Sequence, residues 1–64
     1  MEYEEFRVAV EAVLRKKPAG ASWAEIRQLA GFPQRVPFNG WVRRLERDIG
    51  LIRLKNRGKT TWRL

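Results

Sequence analysis

Residues 42–52, VRRLERDIGLI, decide the fold. Val42, Leu45 and Ile49 recur at the three- and four-residue spacing of a helix with one apolar face. Gly50 is the residue type that commonly follows the last turn of a helix. After this glycine, apolar and basic residues alternate instead, which is the pattern of a strand. The stretch therefore predicts a helix that ends near Gly50 and leads directly into β-structure.

The residues that follow complete a predicted β-hairpin, with strands over about residues 51–55 and 59–64. The segment Asn56-Arg57-Gly58 has the composition of the turn between them. Because a lone hairpin is only marginally stable in water, we expect one of its faces to pack on the helices. Strict alternation predicts that this apolar face carries Ile52, Leu54, Trp62 and Leu64. The opposite side is then expected to be a basic edge of Arg53, Lys55, Arg57, Lys59 and Arg63.

Toward the N-terminus the apolar periodicity predicts three helices in all, over about residues 3–17, 22–30 and 37–49. Ser22 and Glu25 at the start of the second helix have the spacing of a capping box. Pro37 suits the first position of the third helix, where the backbone N–H is not needed. The residues expected to face the core are Tyr3, Phe6, Val10, Val13 and Leu14 in the first helix, Trp23, Ile26, Leu29 and Ala30 in the second, and Phe38, Trp41, Val42, Leu45 and Ile49 in the third.

Length and composition exclude several classes of function. The 64 residues make one domain, residues 1–64. Since the chain has no cysteine and no histidine, we expect no enzyme, no metal site and no cofactor, and no small-molecule ligand is evident. No apolar run has the length of a membrane span, and the acidic N-terminus does not fit a secretory signal. These features predict a cytoplasmic or nuclear protein that is not secreted.

The net charge of +7 is unevenly distributed along the chain. Residues 1–34 hold five basic and five acidic side chains, whereas residues 35–64 hold nine basic and two acidic ones. The whole positive excess therefore lies in the second half. Such an asymmetry is typical of a protein with one side that faces a polyanion. The alternative interpretation is a solvated, arginine-rich surface.

The order of helix, short helix, turn, helix and basic hairpin resembles a known family of domains. The resemblance is carried by residues 22–26, SWAEI, by the following Ala30-Gly31, and by residues 42–52. Over essentially the whole chain the pattern is similar to that of the winged helix-turn-helix superfamily. This resemblance implies a mainly α member of the α+β class, with three helices and a C-terminal hairpin as the wing. It also implies binding to double-stranded DNA, as a small transcription regulator or a nucleoid-associated protein.

The same resemblance implies which residues meet DNA, because in this superfamily the third helix enters the major groove and the wing follows the backbone. Arginine can pair with guanine in two hydrogen bonds, and asparagine or glutamine can pair likewise with adenine. The residues expected at the interface are Gln34, Arg35, Asn39, Gly40, Arg43, Arg44 and Arg47 before and along the third helix, and Arg53, Lys55, Arg57 and Lys59 in the hairpin.

Two other functions fit the same sequence. A protein-interaction module within a transcription, replication or repair assembly would need an exposed apolar patch, for which Tyr3, Trp23 and Phe32 are the candidates. A binder of RNA or single strands would combine the basic residues with exposed aromatic side chains. A homodimer is a further option, because a single small domain contacts few base pairs.

Overall fold

Five regular elements follow one another through short connections in this computed structural model, which describes residues 1–33, 35 and 37–64. The elements are α1 (Tyr3–Lys16), α2 (Trp23–Ala30), α3 (Asn39–Asp48), β1 (Ile52–Asn56) and β2 (Lys59–Arg63). The two strands form an antiparallel hairpin. The predicted arrangement of three helices and a C-terminal hairpin, mainly α within the α+β class, is confirmed.

The start of α2 has the predicted capping box. The Ser22 hydroxyl accepts a hydrogen bond from the Glu25 backbone N–H at 3.2 Å, and the Glu25 carboxylate accepts one from the Ser22 backbone N–H at 3.2 Å. Two backbone donors that the helix itself cannot satisfy are thereby bonded. At the other end of α2, Gly31 adopts the left-handed conformation (φ 76°) that stops the helix.

The core is organised around Phe6 of α1, which is 1% exposed. Its ring contacts Trp23 of α2, Phe32 of the following loop and Trp41 of α3, with centroid separations of 6.1, 5.3 and 5.2 Å. Trp23 in turn lies 5.4 Å from the ring of Trp62 in β2. One aromatic cluster therefore joins all three helices to the hairpin. The predicted inner face of α1 is confirmed, since every one of its five residues is buried.

A short backbone pairing attaches the hairpin to the segment between α1 and α2. The Ala21 N–H donates to the Trp62 carbonyl at 2.9 Å, and the Trp62 N–H donates to the Ala21 carbonyl at 2.8 Å. β2 thus has Ala21 on one side and β1 on the other, and Trp62 is held 3% exposed against the core.

The predicted division of the hairpin into an apolar and a basic face is wrong. Arg57-Gly58 alone forms the turn, so Asn56 pairs with Lys59 and Arg53 pairs with Trp62. Residues paired directly across the two strands point to the same face of the hairpin. Because the turn is one residue shorter than the predicted Asn56-Arg57-Gly58, each residue of β1 is paired with a residue of β2 that was expected on the opposite face. The inner face carries Arg53, Lys55, Thr60 and Trp62; Trp62 is buried against the helices, and the other three stay exposed. The outer face carries Ile52, Leu54, Asn56, Lys59, Thr61 and Arg63.

Three smaller predictions are also corrected. Leu29 is 60% exposed because its side of α2 borders a groove next to α1 and not the core. Helix α3 begins at Asn39 and not at Pro37, since the Phe38 carbonyl accepts the first helical bond, from the Val42 N–H, while Phe38 itself stays extended. The Phe38 ring rests edge-on against Trp41 and is 43% exposed.

None of the helices in the described part of the chain has the length and apolar character needed to cross a membrane.

We expect Gly20→Ala to destabilise the fold. Gly20 has a φ of +102°, and a Cβ added there would lie 2.5 Å from Thr61 Cγ2 and 3.1 Å from the Trp62 carbonyl oxygen. Backbone strain alone costs about 1–3 kcal/mol, and each kcal/mol lowers the melting temperature of so small a domain by roughly 4–8 °C. Thermal unfolding followed by circular dichroism measures the change.

The matched control is Gly40→Ala. Apart from its chain neighbours and the backbone of its own helix, none of the described residues has an atom within 4 Å of a Cβ added at Gly40, which lies in the first turn of α3. Because alanine favours a helix over glycine by up to about 1 kcal/mol, this variant is expected to be at least as stable as the wild type. An unchanged melting temperature for Gly20→Ala would contradict the close packing of Gly20 against β2.

Candidate nucleic-acid interface

The outward side of α3 carries five of the residues predicted to meet DNA. Val42 and Leu45 turn inward and are 1% and 0% exposed. At 100° per residue, the opposite side of the helix presents Gly40, Arg43 and Arg47. We call the α3 outer face the set of exposed residues Asn39, Gly40, Arg43, Arg44 and Arg47.

Arg44 and Asp48 tie α3 to α1 through a single tyrosine. The Arg44 guanidinium carbon lies 3.8 Å from the centroid of the Tyr3 ring, a cation–π contact. The Tyr3 hydroxyl donates to Asp48 Oδ2 at 2.7 Å. Arg44 therefore lies at the edge of the α3 outer face next to α1, with its planar group already stacked. This contact was not predictable from the sequence, since periodicity shows Tyr3 facing inward but not which residue of another helix it meets.

The two acidic residues of the second half are both engaged by arginines. Arg47 Nε lies 3.4 Å from Asp48 Oδ1, and Arg53 Nη2 lies 3.5 Å from Glu46 Oε1. The second pair links the inner face of the hairpin to α3. Among the described residues predicted to contact DNA, Arg47 and Arg53 are thus the ones that form an ion pair.

The structure describes all the other basic residues of the second half, and none of them forms an ion pair with an acidic side chain of the described residues. In the first half, by contrast, Arg7, Arg15 and Lys17 all form ion pairs with glutamates. The positive excess is therefore uncompensated on one part of the molecule. Its members are Arg35 in the loop before α3, Arg43 and Arg44 on the α3 outer face, and Lys55, Arg57, Lys59 and Arg63 in the hairpin.

These hairpin residues do not form the single basic edge that alternation predicted. Lys55 shares the inner face with Arg53 and lies about 7 Å further toward the tip, two residues along an extended strand. Lys59 and Arg63 lie on the outer face. Arg57 occupies the tip itself, where it and Gly58 have φ values of 52° and 78°. Positive φ at both positions is the requirement of a type I′ turn, which asparagine and glycine fill most readily.

The loop before α3 is held to α2 by one hydrogen bond. The Trp23 indole N–H donates to the Arg35 backbone carbonyl at 2.9 Å. The Arg35 side chain is exposed beside the start of α3. Gln34, the remaining residue predicted to contact DNA, lies outside the described residues.

The pKa of Tyr3 is raised above its ordinary value of 10.0. Burial is the largest cause, and the hydrogen bond to Asp48 is the second. The same hydrogen bond, together with Arg47, lowers the pKa of Asp48 below 3.8. Asp48 is thus ionised over the whole physiological range and always available to Tyr3.

Across the described part of the chain, no three acidic side chains are grouped so that they could hold a metal ion.

No protein-family model, curated protein or solved structure matches this chain. The inference of function therefore rests on the residues and their geometry.

We expect stability to decline in alkaline solution through Tyr3. Because its pKa is raised on folding, the free energy of unfolding is undiminished below about pH 10 and falls as the pH rises through the pKa of the folded state. Tyr3 is the chain's single tyrosine, so tyrosinate absorbance reports its titration directly.

The Tyr3→Phe variant keeps the ring under Arg44 but lacks the hydroxyl. It is expected to be less stable than the wild type at neutral pH and to lose the part of the alkaline decline that comes from this group. A Tyr3 that titrates at its ordinary pKa in the folded protein would contradict the hydrogen bond to Asp48.

Proposed function

We propose that this protein binds double-stranded DNA through the α3 outer face and the hairpin. The observation that carries the proposal is the uncompensated positive charge described above. Seven of the nine bases of residues 35–64 have no ion pair within the described residues, and they lie in the loop before α3, on the exposed side of α3 and in the hairpin. Among the described residues of the first half only Lys16 and Arg27 are unpaired bases, and the unpaired Glu2 and Glu5 balance them. A surface of this kind releases counterions from the phosphate backbone and so gains affinity for duplex DNA.

Helix α3 has the dimensions and side chains for the major groove. Its ten residues span about 15 Å, and a groove about 12 Å wide admits a helix. Asn39 and Arg43 lie in its first half, which in the resembled winged helix-turn-helix domains is nearest the bases. The exposed, ion-pair-free Arg43 is the best candidate for a guanine contact, and Gly40 beside it lets the backbone come close to the DNA.

The hairpin supplies contacts that position the protein. The ion pair of Arg53 with Glu46 orients the inner face toward α3, and Lys55 and Arg57 extend beyond it toward the tip. Contacts of lysine and arginine with phosphates fix the register on the duplex without reading sequence. Arg53 thus acts through the orientation of the hairpin.

The packing of the aromatic residues favours a duplex over a single-stranded partner. Binding to unpaired bases uses aromatic rings that stand free on the surface. Tyr3, Phe32 and Trp62 are buried, and Trp23 and Trp41 pack against the core cluster. Tyr3 and Phe32 are thus buried and Trp23 is half-buried, so these three residues do not form the exposed apolar patch expected of a protein-interaction module. Phe38 alone among the aromatic residues exposes much of its ring, and it leans on Trp41.

The biological role that fits is non-enzymatic: a small transcription regulator or a nucleoid-associated protein in the cytoplasm, or a nuclear equivalent. With two candidate residues for base readout on α3, Asn39 and Arg43, and more for phosphates, affinity is expected to depend more on salt than on sequence.

Titration of fluorescently labelled duplex DNA, followed by anisotropy at two salt concentrations, tests the proposal. The variant Arg43→Gln/Arg57→Gln removes one charge from α3 and one from the hairpin tip. We expect its affinity for the duplex to fall by at least about tenfold, and the slope of log affinity against log salt to decrease by about 1, because Arg57 is the phosphate-contacting residue of the two.

The matched control is Arg15→Gln/Lys17→Gln, which removes the same charge from the end of α1. Its affinity is expected to stay within about threefold of the wild type, because both bases lie outside the proposed interface and are paired with Glu11 and Glu25. Equal loss in the two variants would mean that net charge alone drives binding, and tighter binding to a matched single strand would reject the duplex assignment.

The variant Arg57→Asn is expected to change stability and binding in opposite directions. Asparagine tolerates a positive φ that costs arginine energy, so the free energy of unfolding should rise by about 0.5–1 kcal/mol. The affinity for duplex DNA should fall several-fold, because a charge at the hairpin tip is lost. Arg57→Lys, which keeps both the charge and the backbone strain, is the control. A more stable Arg57→Asn protein with unchanged affinity would exclude the tip from the interface.

A further inference from the structure

The outward side of α1 carries apolar residues that the fold leaves uncovered. Val8 is 57% exposed, and the nearby Leu29 of α2 is 60% exposed. Between them Ala9 and Ala12 leave shallow depressions in the surface, three of which adjoin at Ala12. We call the α1 stripe the set Glu5, Val8, Ala9, Ala12 and Lys16, which follow one another along this side of the helix.

The charges at the two ends of the α1 stripe differ from the other charges of α1. Glu4, Arg7, Glu11 and Arg15 form a chain of ion pairs within the helix. Glu5 and Lys16 have no ion pair within the described part of the chain. The stripe therefore has a free negative charge at its N-terminal end, a free positive charge at its C-terminal end and small apolar residues in the middle.

This pattern is complementary to itself. A twofold axis near residue 10 places Glu5 opposite Lys16 of a second copy, and Val8 opposite Ala12 of that copy. Both charge pairs form at once, since a twofold interface repeats every contact. The protruding Val8 side chains fit the depressions at Ala12, and small residues allow two helices to approach closely. The antiparallel arrangement also sets opposite ends of the two helix dipoles side by side.

We propose that the α1 stripe is the interface of a homodimer, in which two α1 helices pack antiparallel across a twofold axis. α3 packs through Trp41 on the buried side of α1, against Tyr3 and Phe6. The α1 stripe and the α3 outer face therefore point away from each other, and dimerisation leaves the latter free. The dimer does not depend on DNA binding and is tested without DNA.

Sedimentation equilibrium over a range of protein concentrations tests this interface. The wild-type mass is expected to rise from the 7.6 kDa of one chain toward twice that value. Val8→Glu buries two carboxylates at the centre of the contact and should reduce the association constant by more than about tenfold. Leu54→Glu on the outer face of the hairpin, where Leu54 is 49% exposed, is the matched control and should dimerise as the wild type does.

Reversal of the end charges gives a sharper test. Glu5→Lys alone and Lys16→Glu alone each set like charges against one another at both ends, and each should weaken the dimer by about tenfold. The combined Glu5→Lys/Lys16→Glu protein restores opposite charges and should dimerise within about threefold of the wild type. Both changes oppose the helix dipole, so the combined variant has the least stable helix, and its recovery cannot come from better folding.

Circular dichroism confirms that each variant is folded under the conditions used. A wild type that stays monomeric at the highest concentration overturns the proposal. So does a combined variant no better than the single ones, or a loss of the dimer in Leu54→Glu. Binding of a different protein to the stripe would appear as a monomeric wild type and would count against the homodimer.

Discussion

The contacts of the Phe6 ring are the interaction on which the rest of the structure depends. The chain has too few residues to bury a large core, and below about 70–80 residues a single core seldom contributes much stability. Without cysteines, no disulfide can compensate. Phe6 touches Trp23, Phe32 and Trp41, and therefore reaches α2, the following loop and α3 from one position on α1. Large rings bury much area for each residue that is ordered, which suits a chain of this size.

A second constraint decides which residues of the hairpin face solvent. The backbone pairing of Ala21 with Trp62 sets β2 against the helices and directs the Trp62 ring into the cluster, where it meets Trp23. Since Trp62 must point inward, its cross-strand partner Arg53 lies on the same face. The guanidinium of Arg53 reaches Glu46 at the edge of α3. The position of one tryptophan thus determines how a basic strand is placed beside α3.

The features that were predictable from sequence are those that depend on neighbours close along the chain. The inner face of α1, the capping box of Ser22 and the helix-stopping Gly31 each follow from spacings of at most a few residues. The hairpin faces were not predictable by alternation alone, because a turn of two residues instead of three exchanges them all. For the candidate site, the exposed side of α3 followed from periodicity. The contacts of Arg44 with Tyr3 and of Arg53 with Glu46 join residues far apart in sequence, which no local pattern encodes.

The two acidic residues in the basic second half of the chain both make contacts between elements of the fold. Asp48 and Glu46 are the only acidic residues among positions 35–64, and each makes a contact that orients a basic element. Asp48 accepts a hydrogen bond from the Tyr3 hydroxyl of α1, and Glu46 pairs at 3.5 Å with Arg53 of the hairpin that Trp62 has placed beside α3. The remaining bases repel one another, which costs stability in the absence of a polyanion. Such an arrangement is expected of a surface on which two rigid elements must present their charges together.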